Sequence, residues 1–325
     1  MSLLAKSSLR FLKPSYSRFS LTQSRASSSG SNKSFSNTQK LLFTAPLIAG
    51  AAYFYNSYAT STMDSTSKAP LISTQDFTSF KIKEIEDITH DTKLYRLAIP
   101  NNESLDLPVT SCLVTRKPAQ EGEKDVIRPY TPVSDEGTLG HFDLLIKHYP
   151  TGSMTSYMAG LKPGDSLEVK GPFVKFPYKA NTLKEITLIA GGSGITPMLQ
   201  LTRKILKNPN DSTKITLIFA NRTEKDIMLK SEFDKYAQTH PDQFKVHYLL
   251  DTPPANWTGG KGYVTKEVLE KHLPPKDLKE SMVFVCGPDP MVKVISGTKV
   301  SPQDQGEVEG LLKEMGYSKE KVYKF

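Results

Sequence analysis

One stretch limits the fold of this chain more than any other. Residues 186–201 read ITLIAGGSGITPMLQL. A short apolar run (Ile186, Leu188, Ile189, Ala190) stops at Gly191-Gly192-Ser193-Gly194. Thr196 is placed as the N-cap of a helix and Pro197 as its first residue. Met198, Leu199, Leu201, Ile205 and Leu206 then recur at helical spacing. Strand, glycine turn and helix together bring backbone N–H groups and a helix N-terminus up to a phosphate. Glycine also lets a bulky ligand approach the main chain. The spacing is not the dinucleotide fingerprint G-x-G-x-x-G. A glycine turn with no ligand fits the same residues, so the rest of the chain decides.

Further along, strands are expected at 186–190, 214–220, 244–250 and 282–286, with helices at 197–206, 227–239 and 266–273. The runs ITLIA, ITLIFA and MVFVC are apolar throughout, as strands buried on both faces are. Residues 184–325 are therefore expected to form a doubly wound parallel sheet. Ligands of such sheets lie outside the carboxyl ends of the strands. The candidate polar groups stand there: 191–196, Asn221-Arg222-Thr223, Asp251 and Cys286-Gly287-Pro288. A last helix is expected with Ser301 as N-cap, Pro302 first and Asp304 two further on. Gly316 would stop it, and a final strand is expected at 322–325.

Residues 76–178 read differently. β-rich runs at 80–88, 92–98, 111–115, 142–148 and 166–170 are separated by Pro, Gly, Asn and Asp, the pattern of a small antiparallel barrel. In Arg128-Pro129-Tyr130-Thr131-Pro132-Val133-Ser134 two prolines stiffen an extended segment. It presents a guanidinium that can fork onto a phosphate, a phenol that can lie against a flat ring, and two hydroxyls. A barrel strand whose Tyr only packs is the competing reading. In KHYPTGSMT, residues 147–155, Gly152 opens a helix expected at 153–161. Free N–H groups beside the Ser153 and Thr155 hydroxyls make a second anion site, unless Thr155 is an ordinary cap. His148 is read as a solvated strand residue. Gly171-Pro172 is expected to break the chain, and 179–184 to connect the two halves.

Charge removes one class of function. The chain carries 42 Lys and Arg against 34 Asp and Glu. Seven of the basic residues and none of the acidic ones lie in 1–63, which leaves 35 against 34 in the remainder. The basic balance belongs to the N-terminus, so no nucleic-acid partner is indicated. Cys112 and Cys286 stand far apart. They give no metal or disulfide framework and exclude four-cysteine iron–sulfur ligation within the chain. Residues 1–40 are Ser-rich, basic and acid-free, the composition of a mitochondrial targeting leader or of a disordered basic tail. Residues 41–59, LLFTAPLIAGAAYFYNSYA, are uncharged and long enough to span a bilayer as a single transmembrane helix. Tyr53, Tyr55 and Tyr58 fall where an interfacial aromatic belt would lie. A linker is expected over 60–75.

RPYTPVS at 128–134, GSMTS at 152–156, GP at 171–172, GGSGITPMLQ at 191–200 and CGPDPM at 286–291 follow in that order. Together they resemble the ferredoxin–NADP reductase superfamily and, within it, the NADH–cytochrome b5 reductases, flavoprotein pyridine nucleotide cytochrome reductases. The likeness covers nearly all of 76–325. The leader, the anchor and the ending DQGEVEGLLKEMGYSKEKVYKF resemble the fungal mitochondrial form. The resemblance implies a six-stranded antiparallel FAD-binding barrel over 76–178 and a doubly wound NADH-binding domain over 184–325, with the flavin between them. It also implies a monomer, held single-pass in the mitochondrial outer membrane or processed to a soluble form in the intermembrane space, whose partner is cytochrome b5 or a similar acidic haem protein.

By position within the matching motifs, the resemblance implies that Arg128 and Pro129 bear on the FAD pyrophosphate. Tyr130 would lie along the isoalloxazine, and Thr131 would hydrogen-bond near its N5. Leu145, Lys147 and Tyr149 would line the cleft shared with the pyridine nucleotide. Gly152, Ser153, Met154 and Thr155 would take the other phosphate contacts. The turn from Gly191 and Gly192 to Gly194 would give NADH a side-chain-free approach, and Thr196 would sit between flavin and nicotinamide. Cys286, Gly287, Pro288 and Met291 would pack the nicotinamide and its ribose. Thr131, Thr196 and Cys286 would stand nearest the hydride transfer, and no metal is implied. The family usually has Lys where this chain has Ser153, so the docking surface for the haem protein is expected to shift to Lys170, Lys175 or Lys179. The implied chemistry belongs to the flavin and needs no general acid–base pair. Asp251, at a strand end where a ribose would lie, can accept its 2′-hydroxyl. Its charge would repel the 2′-phosphate of NADPH by about 1 to 4 kcal/mol for a unit pair at about 4 Å, so NADH is expected over NADPH. Otherwise Asp251 only starts the Thr252-Pro253-Pro254 turn. A flavin reductase serving a quinone or ferric chelate, and a membrane-tethered nucleotide-binding protein without turnover, are the remaining readings.

Overall fold

Alternation of apolar and polar residues builds the first sheet. β1 (Thr78–Thr89) buries Phe80 and Ile82 on one face and turns at once into β2 (Thr92–Ala98). β3 (Ser111–Lys117), β4 (Val126–Tyr130), β5 (His141–Lys147) and β6 (Ser166–Val174) complete six antiparallel strands in the order β4-β3-β6-β1-β2-β5. A bridge between Pro132 and Leu144 joins the two edge strands and closes the barrel. Phe80 and Phe142 meet edge to face inside it, 5.1 Å apart. Met154 and Met158 of α1 (Ser153–Ala159) plug one end. β5 is buried on both faces: Leu144 points into the barrel, and Leu145 packs against the second domain.

The computed structural model describes residues 71–325. The expected leader and anchor over 1–40 and 41–59, and most of the linker, lie outside the described residues. Among the described residues no helix is long and apolar enough to cross a membrane.

The second sheet is parallel. β7 (Glu185–Gly191), β8 (Lys214–Asn221), β9 (Phe244–Leu250), β10 (Gly260–Lys261), β11 (Ser281–Cys286) and β12 (Val322–Lys324) lie in the order β10-β9-β8-β7-β11-β12. Leu188, Leu217 and Phe284 feed one core, while Ile189, Ile218 and Val285 feed another on the opposite face. That double burial explains the unbroken apolar runs. Helices α2 (Ile195–Leu206), α3 (Lys230–Thr239), α4 (Lys266–His272), α5 (Asp289–Ser296) and α6 (Gly310–Glu314) complete it.

Several expectations need correction. Thr196 is not the N-cap of α2. A 3-10 turn at Gly192–Gly194 feeds the helix, which starts at Ile195 with Gly194 as cap. The helix expected at 227–239 is split into a 3-10 turn at Glu224–Asp226 and α3. Gly171-Pro172 does not interrupt β6, which runs on to Val174 beside β3 across a bulge. Gly171 lies so close to β3 that an added Cβ would stand 2.8 Å from Leu113 Cδ2. Ser301 starts no helix: the Asp304 amide donates back to the Ser301 carbonyl at 3.2 Å and its hydroxyl oxygen at 3.1 Å, closing a turn. The Lys324 ammonium, buried at the end of the chain, donates to the carbonyls of Glu307 (3.0 Å) and Thr298 (3.3 Å) and so gathers this loop around itself. The helical residues lie on either side, in α5 and the short α6.

Candidate active site

The chain moves from β7 to β8 on one side and returns through β11 on the other, so a crevice opens at the carboxyl ends of β7 and β11, where Ala190 pairs with Cys286. Packing demands two of the glycines there. A Cβ on Gly194 would stand 2.5 Å from the Cys286 carbonyl carbon and 2.7 Å from the Gly287 nitrogen; one on Gly191 would stand 3.0 Å from Pro288 Cδ. The side-chain-free approach expected of residues 191–194 therefore falls to Gly192 alone, at φ +50°, where an added Cβ would find only the Tyr149 hydroxyl, 3.9 Å away. Thr196 is buried in the first turn of α2, its hydroxyl donating to the Ser193 carbonyl at 3.3 Å. Burial pushes the Cys286 thiol up to about 12, so it stays neutral. Gly287 and Met291 are half-buried beside it, and Pro288 is exposed.

The barrel supplies the facing wall. Tyr130 is half-buried, and burial raises its phenol to about 12. Thr131 is half-buried, and Arg128 and Pro129 are exposed. The Arg128 guanidinium donates only to the carbonyl of its neighbour Ile127, at 2.8 Å. Gln200 of α2 donates to the Pro132 carbonyl at 3.0 Å, and Arg203 donates to that of Val133, so the second domain holds this segment in place. Tyr149, 41 % exposed, sets its hydroxyl 3.3 Å from Ser193 Oγ across the crevice. The Thr155 hydroxyl donates to the Tyr149 carbonyl at 3.0 Å and accepts from the Tyr149 amide at 3.2 Å, shaping the loop. Gly152 caps α1 without a side-chain bond, and Ser153 is exposed. Leu145 and Met154 are buried in the two cores, which leaves their main chains as what they can offer a ligand.

A charge cluster that the motifs did not reveal joins the two walls. Lys147 Nζ lies 2.6 Å from Asp91, in the β1–β2 turn, and 2.9 Å from Asp226. Burial pushes the Asp226 carboxyl up, but hydrogen bonds from Thr223 and Lys147 more than offset it and hold the group below the ordinary carboxylate value. Asp91 is likewise lowered, with burial outweighed by bonds from Lys147 and Thr89. Burial works against the Lys147 ammonium too, and the two carboxylates raise it overall. Thr223 and Asp226 form a reciprocal capping pair, with Oγ1 to Oδ2 at 2.7 Å, a pattern that sequence spacing could have exposed. His90, Asp91 and Asp226 offer three ligand atoms within 4.8 Å, but the Lys147 ammonium already stands against both carboxylates.

The far corner is open. Asn221 is buried at the end of β8, and neither its Oδ1 nor its Nδ2 has a partner within the protein. The Asp251 amide donates to the Asn221 carbonyl at 3.0 Å. Burial raises the Asp251 carboxyl, Arg222 opposes this and Asp226 adds to it. Tyr263, 74 % exposed just beyond β10, presents an aromatic face at this edge; sequence reading missed it.

Residues 79–178 match the oxidoreductase FAD-binding domain model, and 188–297 match the oxidoreductase NAD-binding domain model. NADH-cytochrome b5 reductase 2 of Botryotinia fuckeliana is 52 % identical over 252 residues, 77 % of this chain and 73 % of that protein. Its counterpart in Emericella nidulans is 47 % identical over 277 residues, 84 % of this chain and 86 % of that one. The chain belongs to the NADH–cytochrome b5 reductases. Among solved structures, the cytochrome b5 reductase domain of Ulva prolifera nitrate reductase superposes with a TM-score of 0.68 at 33 % identity, covering 79 % of this reductase and all of that chain. The crevice of this reductase fits its family's two groups. The α1 cap and the Arg128 guanidinium have no competing side-chain partner for a phosphate, and the Asn221 amide lacks a partner within the protein.

Proposed function

We propose that this reductase passes a hydride from NADH to FAD and then single electrons to cytochrome b5 or a similar acidic haem protein. One contact across the crevice carries the reading: the Tyr149 hydroxyl on the barrel side stands 3.3 Å from Ser193 Oγ in the glycine turn. Bound FAD would supply the conversion between two-electron and one-electron transfer. Arg128 and the N–H groups opening α1 would hold its phosphates. Tyr130 would lie along the ring system, with the Thr131 hydroxyl near its reactive edge. Thr196 and the neutral Cys286 thiol would seat the nicotinamide, and the Asp251 carboxylate would accept the ribose hydroxyls.

For the haem partner, Lys179 is the freest of the three lysines. It is exposed, whereas Lys170 lies over the Phe77 ring at 4.9 Å and Lys175 is half-buried. The basic, acid-free N-terminus and the uncharged stretch at 41–59 support single-pass anchoring in the mitochondrial outer membrane. Purified as the full chain, the protein should be yellow, NADH should bleach it, and oxidised cytochrome b5 should restore the colour. A colourless protein, or a flavin that NADH leaves oxidised, would overturn the reading. Unchanged salt dependence of cytochrome reduction after charge reversal at Lys170, Lys175 and Lys179 would remove the docking surface from it.

A further inference from the structure

Two side chains of the nucleotide domain hold the barrel segment that follows Thr131. In α2, Thr196, Gln200 and Arg203 are spaced by four and then three residues, so they lie along one face of the helix. Gln200 donates through Nε2 to the Pro132 carbonyl at 3.0 Å, and Arg203 donates to the Val133 carbonyl. The barrel staples the same segment from its other side. The Val133 amide donates to the Asp143 carbonyl at 2.9 Å, and Pro132 bridges Leu144 of β5. Arg203 is fixed in turn by Glu232 of α3, which accepts from its Nε at 2.6 Å and its Nη2 at 2.7 Å. Packing alone does not explain Gln200. Its Oε1 is buried with no partner within the protein. A buried acceptor left unpaired destabilises a fold, and an apolar side chain of the same length would avoid this.

We propose that Gln200 and Arg203 are positioning residues for hydride transfer, fixing the separation of flavin and nicotinamide. The inference rests on the placement of Thr131 beside the flavin and Thr196 beside the nicotinamide proposed above. Thr131 directly precedes the two gripped carbonyls, and Thr196 lies about one helical turn before Gln200. One helix thereby links both seats. Its first turn bears on the nicotinamide, and its following turns hold the strand that bears on the flavin. Gln200 and Arg203 exchange no proton and no electron. They act through the main chain that follows Thr131, and loosening either changes the distance the hydride crosses. That distance matters steeply, since a misplacement of about 1 Å can slow a reaction about a hundredfold.

Two measurements on the full chain with bound FAD test this. Rapid mixing with NADH gives the limiting rate of flavin reduction. Titration of the reduced protein with NAD+ reads the broad long-wavelength absorbance of the two rings in contact, a signal independent of turnover. Gln200→Met keeps the shape of the side chain and removes the donor. It should leave the urea midpoint, the flavin content and the affinity for NAD+ unchanged, slow flavin reduction about tenfold or more, and weaken the contact absorbance. Arg203→Met should slow reduction as well and, by stranding Glu232, lower the midpoint. Arg203→Lys, which keeps a donor for Val133, should recover most of the rate. If Gln200→Met has the wild-type rate and absorbance, or loses stability alone, the positioning role is overturned while the placement of the two cofactors stands. If NADH does not bleach the wild type, the placement itself is wrong and the proposal falls with it.

Discussion

The two ends of the crevice are finished in opposite ways. At the Lys147 end, the ammonium meets Asp91 and Asp226 within 3 Å, and Thr223 caps Asp226 as well. At the Asn221 end, a buried amide has no protein partner, Arg222 is unpaired and the Asp251 carboxyl is raised by burial. The first arrangement couples barrel and nucleotide domain through the chain's own charges. The second leaves both polar atoms of a buried amide without a partner among the described residues. A buried polar group left unpaired costs about 1–3 kcal/mol, a cost that bound nucleotide would remove.

Mutations at the two ends should therefore differ in kind. The largest effect is expected from Lys147→Met, which leaves Asp91 and Asp226 facing each other across the domain seam. Removing one member of a buried pair costs about 3 kcal/mol or more, and urea denaturation should read it, with Lys147→Arg recovering part of the loss. Unchanged stability in the methionine variant would show that the cluster does not tie the walls together. Asn221→Leu should do the reverse. It replaces an unpaired amide by an apolar group of similar size, so stability should hold or rise by about 1 kcal/mol. Affinity for NAD+ should meanwhile fall about tenfold, the equivalent of about one hydrogen bond. A large stability loss with unchanged affinity would make Asn221 a structural residue and erase the contrast.

The sequence reveals these regions unequally. Parallel strands buried on both faces announce themselves as apolar runs, and the motifs place both walls of the crevice. β4 is missing from the β-rich runs because Pro129 and Pro132 mask a strand that pairs with β3 through Arg128 and Tyr130. The tail misleads because Ser301-Pro302 carries a helix-start pattern, while its conformation is decided by Lys324, some twenty residues away. Within the site, membership of a motif says nothing about direction: Leu145 and Met154 sit in recognisable segments, yet strand and helix geometry turn both into the cores. Lys147 was legible as a site residue, but its partners were not, because Asp226 lies 79 residues further on. The unpaired corner was legible as polar residues at strand ends, whereas the missing partner of Asn221 appears only in three dimensions.

The smallest expected effect separates the two ends by sign. The Asp226 carboxyl lies below its unfolded value of 3.8, so its contribution is fully present above 3.8 and is lost as pH falls through the lower folded value. Asp251 lies above 3.8: the native state holds its proton more tightly than the unfolded chain, and its charge lowers stability at neutral pH. In urea titrations at pH 7, Asp226→Asn should lower the midpoint and Asp251→Asn should raise it slightly, the exposed position keeping the second effect small. Both differences from wild type should vanish once the pH is well below 3.8, where the carboxyls are protonated in both states. His247 adds a common background. Burial holds it at about 4, so every variant should lose stability as pH falls from 6.5 towards that value, and the loss cancels in the difference curves. Arg222→Gln removes the cation that opposes the rise of Asp251 and should push that carboxyl higher, enlarging the gain from Asp251→Asn in the double variant. Difference curves of the same sign at Asp226 and Asp251 would mean that both ends are held by the chain's own charges, and the contrast between a tied seam and a corner awaiting nucleotide would be lost.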